Sequence, residues 1–176
     1  MSRDGFPQPA PPDASWPRYS SRPFPPYTHV PGTTPHPRRD PQGHSHGLPE
    51  PHLPPWAPAD WRANAEYLYG IDCHNFARWW ECHEALEALW HAAGRTTPPA
   101  QFLQGIIQVA AGNLQRFLGH DATGRGLAEK GLERMKGVPN LFMGVDIAAF
   151  DRDVRAYFDE RRDSPALIRL AGADGK

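Results

Sequence analysis

Cysteine is scarce in this chain, whose 176 residues include only Cys73 and Cys82. A small secreted domain held together by disulfides normally has more cysteines, so this pair favours a reduced, cytoplasmic setting. An excess of charge is also missing, because 19 basic and 20 acidic residues give a formal net charge of −1. Neutralising nucleic acid phosphates requires a basic excess, so we expect no nucleic acid partner.

Long apolar runs are absent as well. The most apolar stretch, residues 102–118, is interrupted by amide and arginine side chains, which predicts no membrane span. The first residues, MSRDGFPQPAPP, lack the continuous apolar segment of a signal peptide. The sequence therefore predicts a cytoplasmic protein that does not bind a membrane.

Proline is abundant, but it is concentrated near the N-terminus. Of the 21 prolines, 17 lie in residues 1–60. Proline has no amide donor, and this stretch shows no apolar period, so it cannot form helices or central strands. We interpret residues 1–58 as a disordered arm, partly in the polyproline II conformation. Its five histidines are interpreted as solvated side chains rather than as metal ligands: His29, His36, His44, His46 and His52.

The arm also offers a route to a protein partner. Phe24-Pro25-Pro26-Tyr27 alternates aromatic and proline residues, as segments that dock into aromatic grooves do. No partner is identified by this pattern. The folded domain is placed at residues 59–163, and residues 164–176 are interpreted as a C-terminal tail.

The folded domain begins with two segments of helical spacing. Asp60 predicts a cap for the first helix, and Asn75 predicts a break and a new cap. The second helix is predicted over residues 76–93, ending before Gly94. Apolar residues on one face of this helix predict that Trp79, Trp80 and Trp90 pack in the core.

Three further helices follow from capping signals. Thr97-Pro98 predicts the start of a third helix that ends near Gly119. Asp121 and Asp146 predict caps for a fourth and a fifth helix, and three glycines are expected to weaken the fourth. No strand ladder is evident. These patterns predict an all-α fold, a compact bundle of about five helices.

A combined pattern of polar and aromatic residues lies in and next to the second and third helices. Its members are Asn75, Trp79, Trp80, Glu81, His83, Glu84, Glu87, Trp90, Gln104, Gly105 and Gln108. Through this pattern the chain, over about residues 65–136, resembles the domain of unknown function 309 family. The resemblance implies a compact helical bundle, and the family has no established activity. Asn113 departs from the family pattern, because many relatives have a histidine there.

The motif His83-Glu84-Ala85-Leu86-Glu87 allows a metal-dependent chemistry. It has the form HExxE, which differs from the zinc-binding HExxH helix only in its last residue. His83 and Glu87 can then ligate a divalent transition metal, and Glu84 can act as the base. A third ligand is required, and the spacing does not choose among Glu81, His74, Asp72 and Gln108.

The same residues also suit a structural role without a ligand. His83, Glu84 and Glu87 share one side of a helix, and Gln104 and Gln108 share one side of the next. Hydrogen bonds between these groups would form a buried polar clasp, with Gly105 allowing the two helices to approach. The cluster comprises Glu81, His83, Glu84, Glu87, Trp90, Gln104 and Gln108.

The clasp is the leading interpretation. It predicts a non-enzymatic structural or binding module with no cofactor and no assigned catalytic residue. The alternative is a metal-dependent hydrolase in which Glu84 is the base and His83 and Glu87 hold the metal. The sequence lacks a nucleophile constellation and a strand edge for substrate, and both absences favour the module.

Overall fold

A computed structural model describes residues 7–172 of the chain. Two short strands, β1 (Leu141–Phe142) and β2 (Val145–Asp146), pair antiparallel and form the only sheet in this part of the chain. A 3-10 helix, Pro58–Ala63, precedes α1 (Ala65–Asn75), α2 (Trp79–Ala93), α3 (Pro98–Phe117), α4 (Asp121–Met135) and α5 (Ile147–Phe158). The predicted all-α bundle is therefore confirmed.

Helix starts follow capping chemistry, although one cap differs from the prediction. Thr97 and Asp146 cap α3 and α5 as predicted, each accepting a hydrogen bond from the backbone N–H three residues on. The first helix begins later than predicted because Asn64, not Asp60, supplies this acceptor. Asp60 lies within the preceding 3-10 helix.

Two other predicted caps are wrong. Asn75 ends α1, as the break predicted, but its side chain is directed to the C-terminal segment instead of capping α2. Asp121 is the first residue of α4, and the cap position is His120, which makes no side-chain capping bond. A carboxylate in the first turn still interacts favourably with the helix dipole, which explains the misleading signal.

Glycines bring α3 and α4 together. A Cβ atom added at Gly131 would lie 2.6 Å from the carbonyl oxygen of Gly105, and one added at Gly124 would lie 2.7 Å from that of Gly112. The close approach that Gly105 was predicted to allow therefore joins α3 to α4, not α3 to α2. Two of the three glycines expected to weaken α4, Gly124 and Gly131, permit its packing against α3.

The core lies between α1, α2 and α3. Tyr67, Leu86 and Leu103, one from each helix, are completely buried in one apolar cluster. No helix in the described part of the chain is long and apolar enough to cross a membrane.

The proline-rich arm differs from the predicted disorder. Residues 7–57 form neither helix nor strand, as their proline content predicts, but they lie against the helices, and Tyr19 and Val30 are buried. Backbone N–H groups of the arm donate hydrogen bonds to carboxylates on α1 and α2. Such contacts do not require regularly spaced apolar residues, so the sequence pattern gives no sign of them. Residues 1–6 of the predicted arm lie outside the described residues.

The C-terminal segment is also packed on the domain. Ala166, Ile168 and Leu170 are buried, with alternate residues pointing inward as in an extended chain. Residues 173–176 of the predicted tail lie outside the described residues.

Candidate functional site

The polar residues of α1 and α2 hold segments that have no regular structure. Asp72 of α1 is completely buried. Its Oδ1 accepts a hydrogen bond from the backbone N–H of Tyr19 at 2.8 Å, and its Oδ2 accepts one from the backbone N–H of Ser20 at 2.9 Å. The guanidinium of Arg18 donates to the same Oδ2 at 2.8 Å. One carboxylate therefore binds three consecutive residues of the arm.

Glu81 of α2 plays a similar part further along the arm. Its side chain is only 4% exposed, and Oε1 accepts a hydrogen bond from the backbone N–H of His29 at 2.8 Å. The Nε2 atom of His44 lies 3.5 Å from the same oxygen. The other oxygen, Oε2, is buried and has no hydrogen-bond partner among the described residues.

Imidazole rings of the arm pack on the indole of Trp80. The ring centroids of His29 and His36 lie 4.6 and 5.5 Å from that of Trp80, in edge-to-face arrangements. Burial lowers the pKa of His29, and neighbouring His36 lowers it further, against an opposing effect of Glu81. Two arm histidines predicted to be solvated therefore belong to the contact with α2.

The proline–aromatic segment lies on its own domain. The ring of Phe24 contacts those of Tyr69 and Phe76, with centroid distances of 6.2 and 5.4 Å. The guanidinium groups of Arg18 and Arg78 lie 3.9 and 4.6 Å from the centroid of Phe24. The segment predicted to recruit a partner is thus engaged within the chain.

α1 holds the C-terminal segment by two neighbouring residues. The Asn75 amide donates to the carbonyl of Ile168 and accepts from its N–H, at 2.8 and 2.7 Å. The Nε2 atom of His74 lies 3.0 Å from the carbonyl oxygen of Ala166. Burial lowers the pKa of His74 to about 4.

The HExxE residues lie on the outer side of α2. His83 and Glu87 are one turn apart, with Nε2 and Oε2 separated by 3.6 Å, and their side chains are 36% and 42% exposed. Glu84 pairs with Arg38 of the arm at 3.3 Å. These side chains are partly exposed to solvent, so their charges do not need the buried hydrogen-bonded clasp that the sequence predicts.

The structure does not bring the predicted clasp together. The Oε1 atom of Gln108 accepts a hydrogen bond from the guanidinium of Arg134 on α4, at 3.2 Å. No hydrogen bond among the described residues joins Gln104 or Gln108 to the histidine and glutamates of α2. Gln108 faces α4 because the paired glycines draw those two helices into contact.

The tryptophans divide between core and periphery. Trp79 is buried, as predicted, whereas Trp80 and Trp90 are partly buried and pack against the core. Trp90 lies beside His91, with ring centroids 4.8 Å apart.

The predicted metal ligands are not gathered around one point. Within residues 7–172 no group of three or more histidine, cysteine, aspartate or glutamate side chains is arranged to hold a metal ion. Three candidate third ligands bind backbone atoms: Asp72 and Glu81 those of the arm, and His74 that of the C-terminal segment.

Cysteine chemistry is disfavoured by burial. Cys73 and Cys82 are free and completely buried. Burial raises the pKa of both thiols well above the usual value, so neither is present as the reactive thiolate.

A cleft lies where the arm crosses α1 and α2. Its volume is about 310 Å³, and it is open to solvent. Its ionisable lining residues are Arg22, Arg38 and His44 of the arm, with Glu66, Glu81 and Glu84 of the helices. The sequence singles out Glu81 and Glu84 but misses the arm residues, because a segment interpreted as disordered contributes no fixed side chains.

Comparison with known protein families matches one stretch of the chain, from within α1 to within α4. Residues 67–127 match the family described as Domain of unknown function (DUF309), which confirms the resemblance inferred from the motif. A comparison with curated proteins found no match.

Proposed function

We propose that this chain, with its DUF309 domain in residues 67–127, is a non-enzymatic binding module that holds an extended, proline-rich segment by its main chain. In this protein the occupant is the arm of the same chain. One observation carries the proposal: buried Asp72 accepts hydrogen bonds from the consecutive N–H groups of Tyr19 and Ser20. Main-chain hydrogen bonds supply affinity whatever the occupant's side chains are.

The electrostatics of α1 and α2 support this function. Asp72 and Glu81 are both at least 96% buried, and a buried carboxylate is costly unless donors surround it. The arm supplies those donors through Arg18, Tyr19, Ser20 and His29. The helices therefore require an occupant of this kind.

The reactive side chains support a non-enzymatic role. Burial raises the pKa of the Cys73 and Cys82 thiols and lowers that of His74, so these groups are neutral near pH 7. Enzymes tune nucleophiles and bases in the opposite direction, towards thiolates and towards a pKa near the working pH.

We also propose a cytoplasmic location. Both cysteines are free, which suits a compartment that keeps thiols reduced. The balanced formal charge of −1 favours a protein partner over nucleic acid.

Cleaving the arm from the domain tests the binding function. Residues 47–52 are exposed, so a specific protease site can replace them in the full chain. The replacement leaves residues 18–29, which bind Asp72 and Glu81, unchanged. After cleavage the proposal predicts that the arm remains bound and co-elutes with the domain in size-exclusion chromatography. An Asp72→Ala variant, cleaved in the same way, should release its arm at least about tenfold more readily, because three charge-assisted or backbone hydrogen bonds are lost.

The exposed residue Asp60 provides the matched control, since its side chain makes no hydrogen bond or ion pair with the arm within residues 7–172. The Asp60→Ala variant should retain the arm as the parent chain does. Complete separation of the arm from the parent domain after cleavage, at protein concentrations of about 100 μM, contradicts the proposal.

A further inference from the structure

The charges that line the cleft between the arm and the helices do not balance. The guanidinium of Arg22 donates to both oxygens of Glu66 at 3.0 Å, and Arg38 pairs with Glu84 at 3.3 Å. Among the residues that the structure describes, Glu81 is the one lining carboxylate that pairs with no arginine. Leaving the imidazole of His44 aside, the two arginines and three glutamates of the lining sum to −1.

Two residues that line this cleft each have a buried side-chain atom without a hydrogen-bond partner within residues 7–172. The atoms are Oε2 of Glu81 and Nε2 of His44, whose side chains are 4% and 8% exposed. The Nε2 atom lies 3.5 Å from Oε1 of Glu81, beyond normal hydrogen-bond length. A buried carboxylate oxygen without a donor is costly, so the site favours a group that brings one.

We propose that the cleft binds a small organic cation whose head is a guanidinium or primary ammonium group, with Glu81 as its counter-ion. The head donates to Oε2 of Glu81, and a guanidinium can donate to Nε2 of His44 as well. The volume of about 310 Å³ is that of a small-molecule site and is too small for a folded partner. Aliphatic parts of the ligand contact Phe24 and the exposed side chain of Leu48.

A cation fits this cleft better than an anion does. Both lining arginines are already paired with carboxylates, so an anion would have to compete with Glu66 or Glu84. An anion would also lie beside the unpaired charge of Glu81. A cationic head instead balances the charge of Glu81, and the burial of this carboxylate strengthens the Coulomb attraction between them.

Titration calorimetry of the full chain with agmatine tests the proposal at pH 8, where imidazole is mostly neutral. The expected result is saturable binding of one agmatine per chain and no binding of glutarate, a dianion of similar length. Glu81→Gln should weaken agmatine binding at least about tenfold, because a charge-assisted hydrogen bond becomes a neutral one. Glu133→Gln removes a carboxylate on α4, outside the cleft, and should leave the affinity unchanged.

A second variant changes the affinity in the opposite direction. Arg38→Gln removes a lining cation and should tighten agmatine binding several-fold, and its partly exposed position at the rim makes loss of the fold unexpected. Absence of saturable agmatine binding, equal affinity in Glu81→Gln, or weaker affinity in Arg38→Gln each overturns the proposal. The Arg38→Gln result decides the matter even if the Glu81→Gln variant does not fold.

The cation site rests on the proposed function in one respect: the arm must be bound to the helices, because arm residues form part of the cleft. Glutamine at position 81 still offers an oxygen to the backbone N–H of His29, so hydrogen exchange at that amide should stay slow in Glu81→Gln. Fast exchange at His29 reports loss of the arm. Slow exchange with no agmatine binding contradicts the cation site alone.

Discussion

Asn75 and Ile168 form a reciprocal hydrogen-bond pair between the end of α1 and the C-terminal segment. The backbone N–H of Ile168 donates to Oδ1 at 2.7 Å, and Nδ2 donates to the Ile168 carbonyl at 2.8 Å. The primary amide therefore satisfies a backbone donor and acceptor as a neighbouring strand would. This explains why an asparagine in the family motif is buried without capping a helix.

Replacing Asn75 with alanine should lower the free energy of unfolding by about 2–4 kcal/mol, because the backbone N–H of buried Ile168 loses its partner. The Ile168 carbonyl keeps only the longer hydrogen bond from Nε1 of Trp16, at 3.3 Å. Urea unfolding measures this change. Asn75→Asp should be at least as damaging, since a carboxylate oxygen would face the Ile168 carbonyl. The control is Asn113→Ala, a buried asparagine whose Nδ2 has no partner among the described residues. A loss there as large as in Asn75→Ala contradicts the assignment.

Replacement of glycine by alanine should have opposite effects on stability at two positions of α4. Gly131→Ala should destabilise the protein by about 1–3 kcal/mol, because the new Cβ would lie 2.6 Å from the carbonyl oxygen of Gly105. Gly126→Ala, on the same helix, meets nothing within 4 Å and should stabilise it by about 0.5–1 kcal/mol. Thermal melting of both variants checks this pair. If both shift the melting temperature in one direction, the close α3–α4 contact is not as described.

Stability should fall as the pH drops from 6.5 towards 4. His74 has a pKa of about 4 in the fold against 6.5 in its ordinary state, so the unfolded chain binds more protons in this window. The physical cause is burial: Nδ1 of His74 has no hydrogen-bond partner among the described residues, and protonating it would place an unpaired charge in the core. The loss attributable to this residue is on the order of 3 kcal/mol.

Urea unfolding at several pH values between 7.5 and 4.5 measures this loss, with His74→Phe as the comparison. The phenylalanine variant keeps an aromatic ring beside Phe150 but cannot titrate, so its stability should depend less steeply on pH. Some dependence should remain, because burial also lowers the pKa of His29. An unchanged slope in His74→Phe excludes His74 as its source.

The helices were predictable because their signals are local. Thr97 and Asp146 were identified as caps from one or two neighbouring residues, and Gly94 ends α2 as predicted. The errors at Asp60 and Asp121 are of the same local kind, since a carboxylate near a helix start serves as a cap or merely as a first-turn charge.

The site was only partly predictable because its contacts are distant in sequence. Helical spacing correctly places His83 and Glu87 one turn apart, but burial of Leu86 and Leu89 turns that pair towards solvent. Glu81 is directed inward instead. Its partner His29 lies 52 residues earlier, in a segment without apolar spacing, so no pattern in the sequence joins them.

The central claim is that Asp72 holds the arm by its main chain, and amide hydrogen exchange in the full chain tests it most directly. In the parent protein the N–H groups of Tyr19 and Ser20 should exchange slowly, because both donate to the buried carboxylate. Asp72→Ala should accelerate exchange at both amides at least about tenfold, whereas Asp60→Ala should not. Exchange at Tyr19 and Ser20 that is equally fast in the parent and in Asp72→Ala would contradict the account.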